Sequence, residues 1–210
     1  MLISVTAGLA QRVTWGKREF ATAIVKRPVA GSVAVRGVNV AGDDQADRAV
    51  HGGPSKAIYA YASEDYVWWK RELDAELGPG HFGDNLTTQG IDLNNARIGE
   101  RWRVGGTLLE VSEPRIPCFK LGWRMNDNTF PKRFAQALRN GTYFRIIEEG
   151  DLAAGDSIAL TYRPDDHDIT VREVARIMLF APKERKRLLG AASLSAAWRD
   201  WAAEGDDDNA

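Results

Sequence analysis

Two prolines, Pro114 and Pro117, constrain this chain more tightly than any other local feature. Each locks φ near −65°, so the backbone approaching Cys118 in Glu113-Pro114-Arg115-Ile116-Pro117-Cys118-Phe119-Lys120 has little conformational choice. The segment follows an apolar run and reads as the exit from a strand. It carries the only cysteine in 210 residues. Arg115 and Lys120 flank the sulfur, and nearby positive charge favours thiolate, the form that attacks and ligates metals. The competing reading is a buried, inert thiol, since unpaired cysteines are often buried. One cysteine excludes an intrachain disulfide and fits a reducing compartment.

The rest of the composition narrows the function classes. At 44% hydrophobic and 27% charged, the chain can bury a sizeable core as one domain, or one domain with a small appendage. A net charge of −1 gives no overall reason to expect a nucleic-acid polymer as partner. No apolar run approaches ~20 residues, so no membrane partner is expected. Met1-Leu2-Ile3-Ser4-Val5 lacks the basic start of a secretory signal, and a cytoplasmic location is the expectation.

Short strands and turns dominate the first 163 residues. Leu2–Val5, Ala23–Val25, Ser32–Val35 and Ala57–Tyr61 read as strands, followed by a helix that Ser63 would cap. Gly105-Gly106 sits between Arg101–Val104 and Thr107–Val111 as a two-residue hairpin turn. Pro131 opens a short helix that stops at Asn140-Gly141; Tyr143–Ile147 and Ser157–Tyr162 are further strands. Residues 164–204 switch to helical period. Thr170 and Glu173 form a capping-box pattern, Pro182 starts a second helix, and Ser193 or Ser195 caps a third carrying Trp198 and Trp201. Residues 205–210 read as a disordered tail.

Three polar segments could carry chemistry. Residues 42–56 combine Asp43, Asp44, Asp47, His51, Gly52, Gly53 and Lys56; such turns can form anion nests, although polar loops are ordinary surface features. Phe82-Gly83-Asp84-Asn85-Leu86 is by itself a turn sequence. Lys17 and Lys26 could meet a phosphate or simply end exposed strands. His51, His81 and His167 have no zinc spacing, and there is no P-loop, dinucleotide fingerprint or nucleophile elbow.

In order along the chain, Gly16-Lys17, Thr22-Ala23-Ile24-x-Lys26, Gly42-Asp43-x-Gln45-Ala46-Asp47, His51-Gly52-Gly53-x-x-Lys56-Ala57, Phe82-Gly83-Asp84-Asn85-Leu86, Ile98-Gly99 and Val111-Ser112-x-Pro114-Arg115-x-Pro117-Cys118-x-Lys120-Leu121 resemble the MOSC domain, the molybdenum-cofactor sulfurase C-terminal domain. Gly155-Asp156 and the helical tail extend the resemblance to YiiM-type members. Asp84 stands where the family commonly has Glu, about 1.5 Å shorter in reach.

The resemblance implies a mainly β fold with some α: a MOSC-type, β-barrel-like domain over 1–163, then a three-helix module over 164–204. It implies a molybdenum cofactor (molybdopterin) ligated by Cys118. Lys17, Lys26, Arg115 and Lys56 are the cations for its phosphate, with Gly52, Gly53 and Asn85 near the pterin. It further implies reduction of N-hydroxylated compounds, such as 6-hydroxylaminopurine, by oxygen-atom transfer to molybdenum. His51 would supply protons and Asp84 would orient it. With no flavin or nicotinamide motif, electrons would come from a separate flavoprotein reductase. Trp198 and Trp201 either pack against the β domain or dock that partner. The alternative is a non-catalytic module that holds cofactor or carries sulfur.

Overall fold

The computed structural model describes residues 1–46 and 52–204. In chain order the strands are β1 (Leu2–Ala7), β2 (Gln11–Trp15), β3 (Arg18–Thr22), β4 (Arg27–Pro28), β5 (Val33–Arg36), β6 (Asn39–Val40), β7 (Ile58–Ala62), β8 (Leu86–Thr88), β9 (Arg101–Val104), β10 (Thr107–Pro114), β11 (Thr142–Glu148), β12 (Gly150–Leu152) and β13 (Ile158–Tyr162). The helices are α1 (Ser63–Leu73), α2 (Phe119–Met125), α3 (Phe130–Ala137), α4 (Val171–Phe180) and α5 (Ala196–Ala203), with 3-10 turns at Pro54–Lys56 and Pro182–Gly190.

An eight-stranded sheet in the order β13-β9-β10-β11-β7-β8-β1-β4 forms the frame. β7 and β8 run parallel and the other neighbours antiparallel. A parallel pair needs a crossover, and α1 lies within it. β12-β5-β6 and the β2-β3 hairpin form two small sheets beside this frame.

Among the described residues no closed barrel is found, so the barrel-like part of the expectation is not confirmed; the fold is mixed β and α around one large sheet. β13 and β4 are its two ends and share no ladder. Leu2 does reach across, donating its N–H to the Asp156 carbonyl at 2.9 Å and accepting from Gly155 N–H at 2.8 Å. That link is made by the turn ahead of β13 rather than by a strand ladder.

Local rules explain most elements. Gly105-Gly106 turns β9 into β10 with Val104 opposite Thr107. The strand expected over Ala23–Val25 instead ends at Thr22 as β3, whose hairpin partner β2 was not anticipated. Ser63 is the first helical residue rather than the cap; Ala62 precedes α1 and makes no side-chain cap bond. α1 stops at Leu73 because Asp74 turns left-handed (φ 47°). Cys118 is the extended residue just ahead of α2, a helix its proline-rich approach concealed.

Two apolar clusters hold these parts. The larger joins the sheet (Leu2, Ile58, Leu109, Phe144) to the tail (Ile169, Val174, Ile177, Leu188, Leu194, Ala202). Hydrophobic burial therefore runs unbroken past residue 163. Trp198 and Trp201 pack partly buried on this cluster. Thr170 caps α4, accepting from Glu173 N–H at 3.1 Å, while the Glu173 carboxylate pairs with Arg187 at 3.0 Å. The second tail helix is a 3-10 segment, and Ser195 precedes α5 without a side-chain cap bond. The smaller cluster is aromatic: Tyr59, Tyr61, Tyr66, Trp69, Phe82, Phe130 and Phe134, with Leu121. Trp69 and Phe134 stack at 5.7 Å, and Tyr66 and Phe82 at 5.1 Å. Rings of this size dominate core energetics, each contributing about 2–3 kcal/mol by burial.

Because the tail completes the main core, Ile177→Ala should cost about 2–4 kcal/mol. Urea unfolding followed by tryptophan fluorescence and by far-UV circular dichroism should then show one shared transition at a lower midpoint. Two separated transitions would show the tail to be an independent unit.

Candidate functional site

A cleft of roughly 690 Å³, mouth included, opens where five stretches of chain meet. Its walls are Thr22–Lys26 after β3, Asp43–Ala46 after β6, Lys56–Ala57, the Gly83–Asn85 turn, and the Arg115–Lys120 segment, with Tyr59 and Tyr143 among the lining side chains. Cys118 is half-buried in this lining.

The Cys118 approach is anchored from both sides. β10 is buried along its whole length and paired with β9 and β11. At its exit the Arg115 carbonyl accepts from Asn140 Nδ2 at 2.8 Å, and the Asn140 carbonyl accepts from the Tyr59 hydroxyl at 2.8 Å. The Arg115 guanidinium lies buried, 5.5 Å from the ring centres of both Tyr59 and Phe134. Burial works against its charge, but Tyr59, Tyr143 and Cys118 outweigh that and hold it above its ordinary range. Among the described residues its Nη1 has no hydrogen-bond partner. Burial likewise pushes Tyr143 up to about 12, so its hydroxyl keeps its proton.

A second network fixes the opposite wall. Asp43 accepts from Gly8 N–H at 2.9 Å and from Asn85 Nδ2 at 2.8 Å, and it pairs with Lys26. Burial lowers the Lys26 pKa, against the pull of Asp43, Asp84 and Asp44. Asn85 Oδ1 accepts from Tyr59 N–H at 3.1 Å, tying the turn to β7. Gly83 makes this approach possible: at φ 84°, a Cβ there would lie 2.9 Å from Ile24 Cγ1. Gln45 joins the loops, donating to the carbonyls of Val38 at 3.0 Å and Lys56 at 3.2 Å and accepting from Gly53 N–H at 3.0 Å. Lys56 pairs with the buried Glu113 carboxylate at 3.2 Å, and Trp198 Nε1 donates to the same oxygen at 3.4 Å.

Of the residues singled out from sequence, the structure brings Cys118, Lys26, Lys56, Asn85 and Arg115 to this one cleft. Lys17 does not join them; it stands exposed at the tip of the β2-β3 hairpin. Gly52 and Gly53 are outside the lining, and Gly53 (φ 90°) serves the Gln45 bond. Asp84 also lies outside the lining, fully buried, accepting from the Tyr66 hydroxyl at 2.5 Å, Thr87 Oγ1 at 2.7 Å and Gly80 N–H at 3.1 Å. Burial raises its pKa, against these three donors. It anchors the turn from behind, where a shorter carboxylate is well served. His51 lies outside the described residues. Sequence reasoning missed Asp43, Gln45 and Tyr143 as cleft residues. The first two lie in a segment it had singled out; nothing local marked Tyr143, a strand residue brought in by β10-β11 pairing.

The donor set suits an anionic group that carries its own metal ligands. No cluster of three or more His, Cys, Asp or Glu able to hold a bare ion occurs among the described residues. What the cleft offers is one soft sulfur, buried cations, and an unpartnered guanidinium nitrogen. No helix among the described residues is long and apolar enough to cross a membrane.

A fold of this kind with a single cysteine beside a cationic cleft defines a class, and the family comparison agrees: residues 47–159 match the MOSC domain, so the chain belongs to the MOSC family. It is 35% identical over 203 residues to protein YiiM of Escherichia coli strain K12, covering 93% of this chain and 88% of that one. The structure of YiiM from Geobacillus stearothermophilus superposes with a TM-score of 0.77 at 29% identity, covering 95% of both chains. Within the family the chain is therefore of the YiiM type. It is also 35% identical over 168 residues to a reductase of Gibberella moniliformis, matching 78% of this chain but 30% of that longer protein.

His81, two residues before Gly83 and outside the cleft lining, gives the fold a pH signature. Burial, helped by Arg124, lowers its pKa to about 4. An unfolded histidine titrates near about 6.5, so the unfolded chain takes up the proton first. Stability should then fall as pH drops from about 6.5 to about 4. His81→Gln should flatten that limb in urea midpoints measured against pH. An unchanged slope would assign the acid lability to other groups.

Proposed function

We propose that this MOSC protein holds a molybdenum cofactor in the cleft, with Cys118 as the protein's ligand to the metal, and reduces N-hydroxylated compounds to amines. The observation that carries the reading is the half-buried Cys118 beside the buried Arg115, whose Nη1 has no partner among the described residues. A buried guanidinium with an open donor is costly unless an anion completes it, and a cofactor phosphate or pterin oxygen would do so. When bound, the cofactor would supply two-electron oxygen-atom chemistry at a metal next to the sulfur. The balance is R–NHOH plus two electrons and two protons giving R–NH2 and water.

The chain's own residues would bind, orient and keep the site dry. Arg115, Lys26 and Lys56 would neutralise the anionic group, each pre-oriented by a neighbour: the Tyr59 and Phe134 rings, Asp43, and Glu113. Tyr143 would donate a hydrogen bond from a hydroxyl that stays protonated. Asn85, held between Asp43 and the Tyr59 backbone, would keep the turn at its distance from the bound group. The YiiM relationship and the relative named a reductase support the reading.

Elemental analysis of protein made in a cofactor-competent host should find near-stoichiometric molybdenum in the wild type. Cys118→Ala should lose the metal and all reduction of 6-hydroxylaminopurine driven by reduced methyl viologen. Arg115→Met should lower cofactor retention roughly tenfold or more. Full turnover by Cys118→Ala would refute the mechanism. Retained metal without turnover in the wild type would leave a cofactor-holding or sulfur-carrying protein.

A further inference from the structure

Charge is distributed very unevenly over this nearly neutral chain. Residues 11–27 and 115–133 contain ten Lys and Arg (Arg12, Lys17, Arg18, Lys26, Arg27, Arg115, Lys120, Arg124, Lys132 and Arg133) against two acids, Glu19 and Asp127. These two stretches therefore carry +8, and the remainder carries −9 to give the overall −1. Lys26 and Arg115 belong to the cleft, whereas Arg12, Lys17, Arg18, Arg27, Lys132 and Arg133 are exposed.

The fold brings the two stretches together beside Cys118. Phe20 on the β2-β3 hairpin meets Phe119 at 4.9 Å and Trp123 at 5.8 Å, both edge-on. Arg18 lies 3.6 Å over the Phe119 ring, and Phe119 directly follows Cys118. The hairpin tip reaches α3 as well: Trp15 and Pro131 would lie 3.2 and 3.4 Å from a Cβ on Gly122. Lys17 at the tip and Lys132 one residue past Pro131 thus share a neighbourhood. Of the two acids, Asp127 faces Arg133 at 3.8 Å, and Glu19 is exposed on the hairpin itself.

We propose that this cationic face, formed by the β2-β3 hairpin with α2 and the start of α3, is the docking surface for an acidic electron-donor flavoprotein of the flavodoxin class. The proposal rests on the reductase reading, which needs two electrons per substrate. The sequence carries no dinucleotide-binding fingerprint, so a separate reduced flavin protein supplies them, one at a time from its hydroquinone. The exposed cations Arg12, Lys17, Arg18, Lys132 and Arg133, beside the segment that carries Cys118, would steer an acidic partner to the place where electrons must enter. The tail is a poor competitor, since Trp198 and Trp201 spend their surface on the core. A nucleic-acid strand fits less well than an acidic protein. Phe20, Phe119 and Trp123 are half-buried against one another instead of presenting open faces for bases to stack on.

Binding of purified flavodoxin to the holoprotein, measured by biolayer interferometry, tests the surface independently of turnover. Affinity should fall roughly tenfold or more between about 20 and about 300 mM salt. The triple variant Arg12→Glu, Lys17→Glu, Lys132→Glu should weaken it at low salt by at least about tenfold. Reversals elsewhere, Arg71→Glu with Lys183→Glu, should leave it unchanged. Arg12→Gln with Lys132→Gln provides a milder variant should the triple one fail to fold. In turnover the triple variant should raise KM for flavodoxin while the rate with reduced methyl viologen stays at the wild-type value. Absence of flavodoxin binding, or binding indifferent to salt and to these variants, would overturn the proposal. So would tighter capture of a single-stranded oligonucleotide by the same face. If methyl viologen drives no reduction at all, the reductase reading fails, while the binding result stands or falls separately.

Discussion

The cleft depends on a guanidinium taken out of water. Arg115 is buried, between two aromatic rings, with one nitrogen unpartnered among the described residues. Burying a charge of this kind costs several kcal/mol unless its surroundings compensate. Much of the local architecture can be read as that compensation. The fully buried β10 delivers the residue, Asn140 holds its carbonyl, and Tyr59 both faces its charge and locks Asn140. The Pro114–Pro117 approach then leaves Cys118 only one way out, as the extended residue ahead of α2.

The opposite wall solves a related problem with paired charge. Lys26 is desolvated, and Asp43 is placed against it by a backbone N–H from Gly8 and the side chain of Asn85. Asp84, the adjacent carboxylate in sequence, faces the other way into the aromatic cluster, where Tyr66 and Thr87 hold it. Two neighbouring residues of one turn thus serve different layers: Asn85 serves the cleft and Asp84 the core. Glu113 connects a third layer, since the same oxygen meets Lys56 of the cleft and Trp198 of the tail.

Much of the fold was legible because its signals are local. The Gly105-Gly106 turn and the Thr170 cap each follow from residues within a few positions, whereas α3 stops at Ala137, where Leu138 turns left-handed, before the expected Asn140-Gly141. The misreadings share a cause. The Gln11–Thr22 hairpin turns at Gly16-Lys17 between weakly patterned strands that are mostly exposed, so no apolar alternation marked it. α2 was hidden by the prolines before it. The barrel-like expectation is not confirmed by the strand ladders; closure depends on how far a sheet curls over many strands, which no single segment encodes.

By itself the sequence determined the chemical inventory: one thiol, a proline-fixed approach to it, cations at set positions, and a family pattern that grouped Cys118, Lys17, Lys26, Lys56, Asn85 and Arg115 with Gly52, Gly53, His51 and Asp84. Only the tertiary structure decided which of those side chains face a common space. It placed Lys17 on an exposed hairpin and Asp84 in the core, and it recruited Tyr143 from a strand paired with β10. It also packed the β2-β3 hairpin against α2 beside Cys118. Residue type and local dihedral preference are written in the chain near each position. Which way a side chain points in the assembled molecule is set by long-range packing and strand register, and these exist only once the sheet and its aromatic cluster have formed.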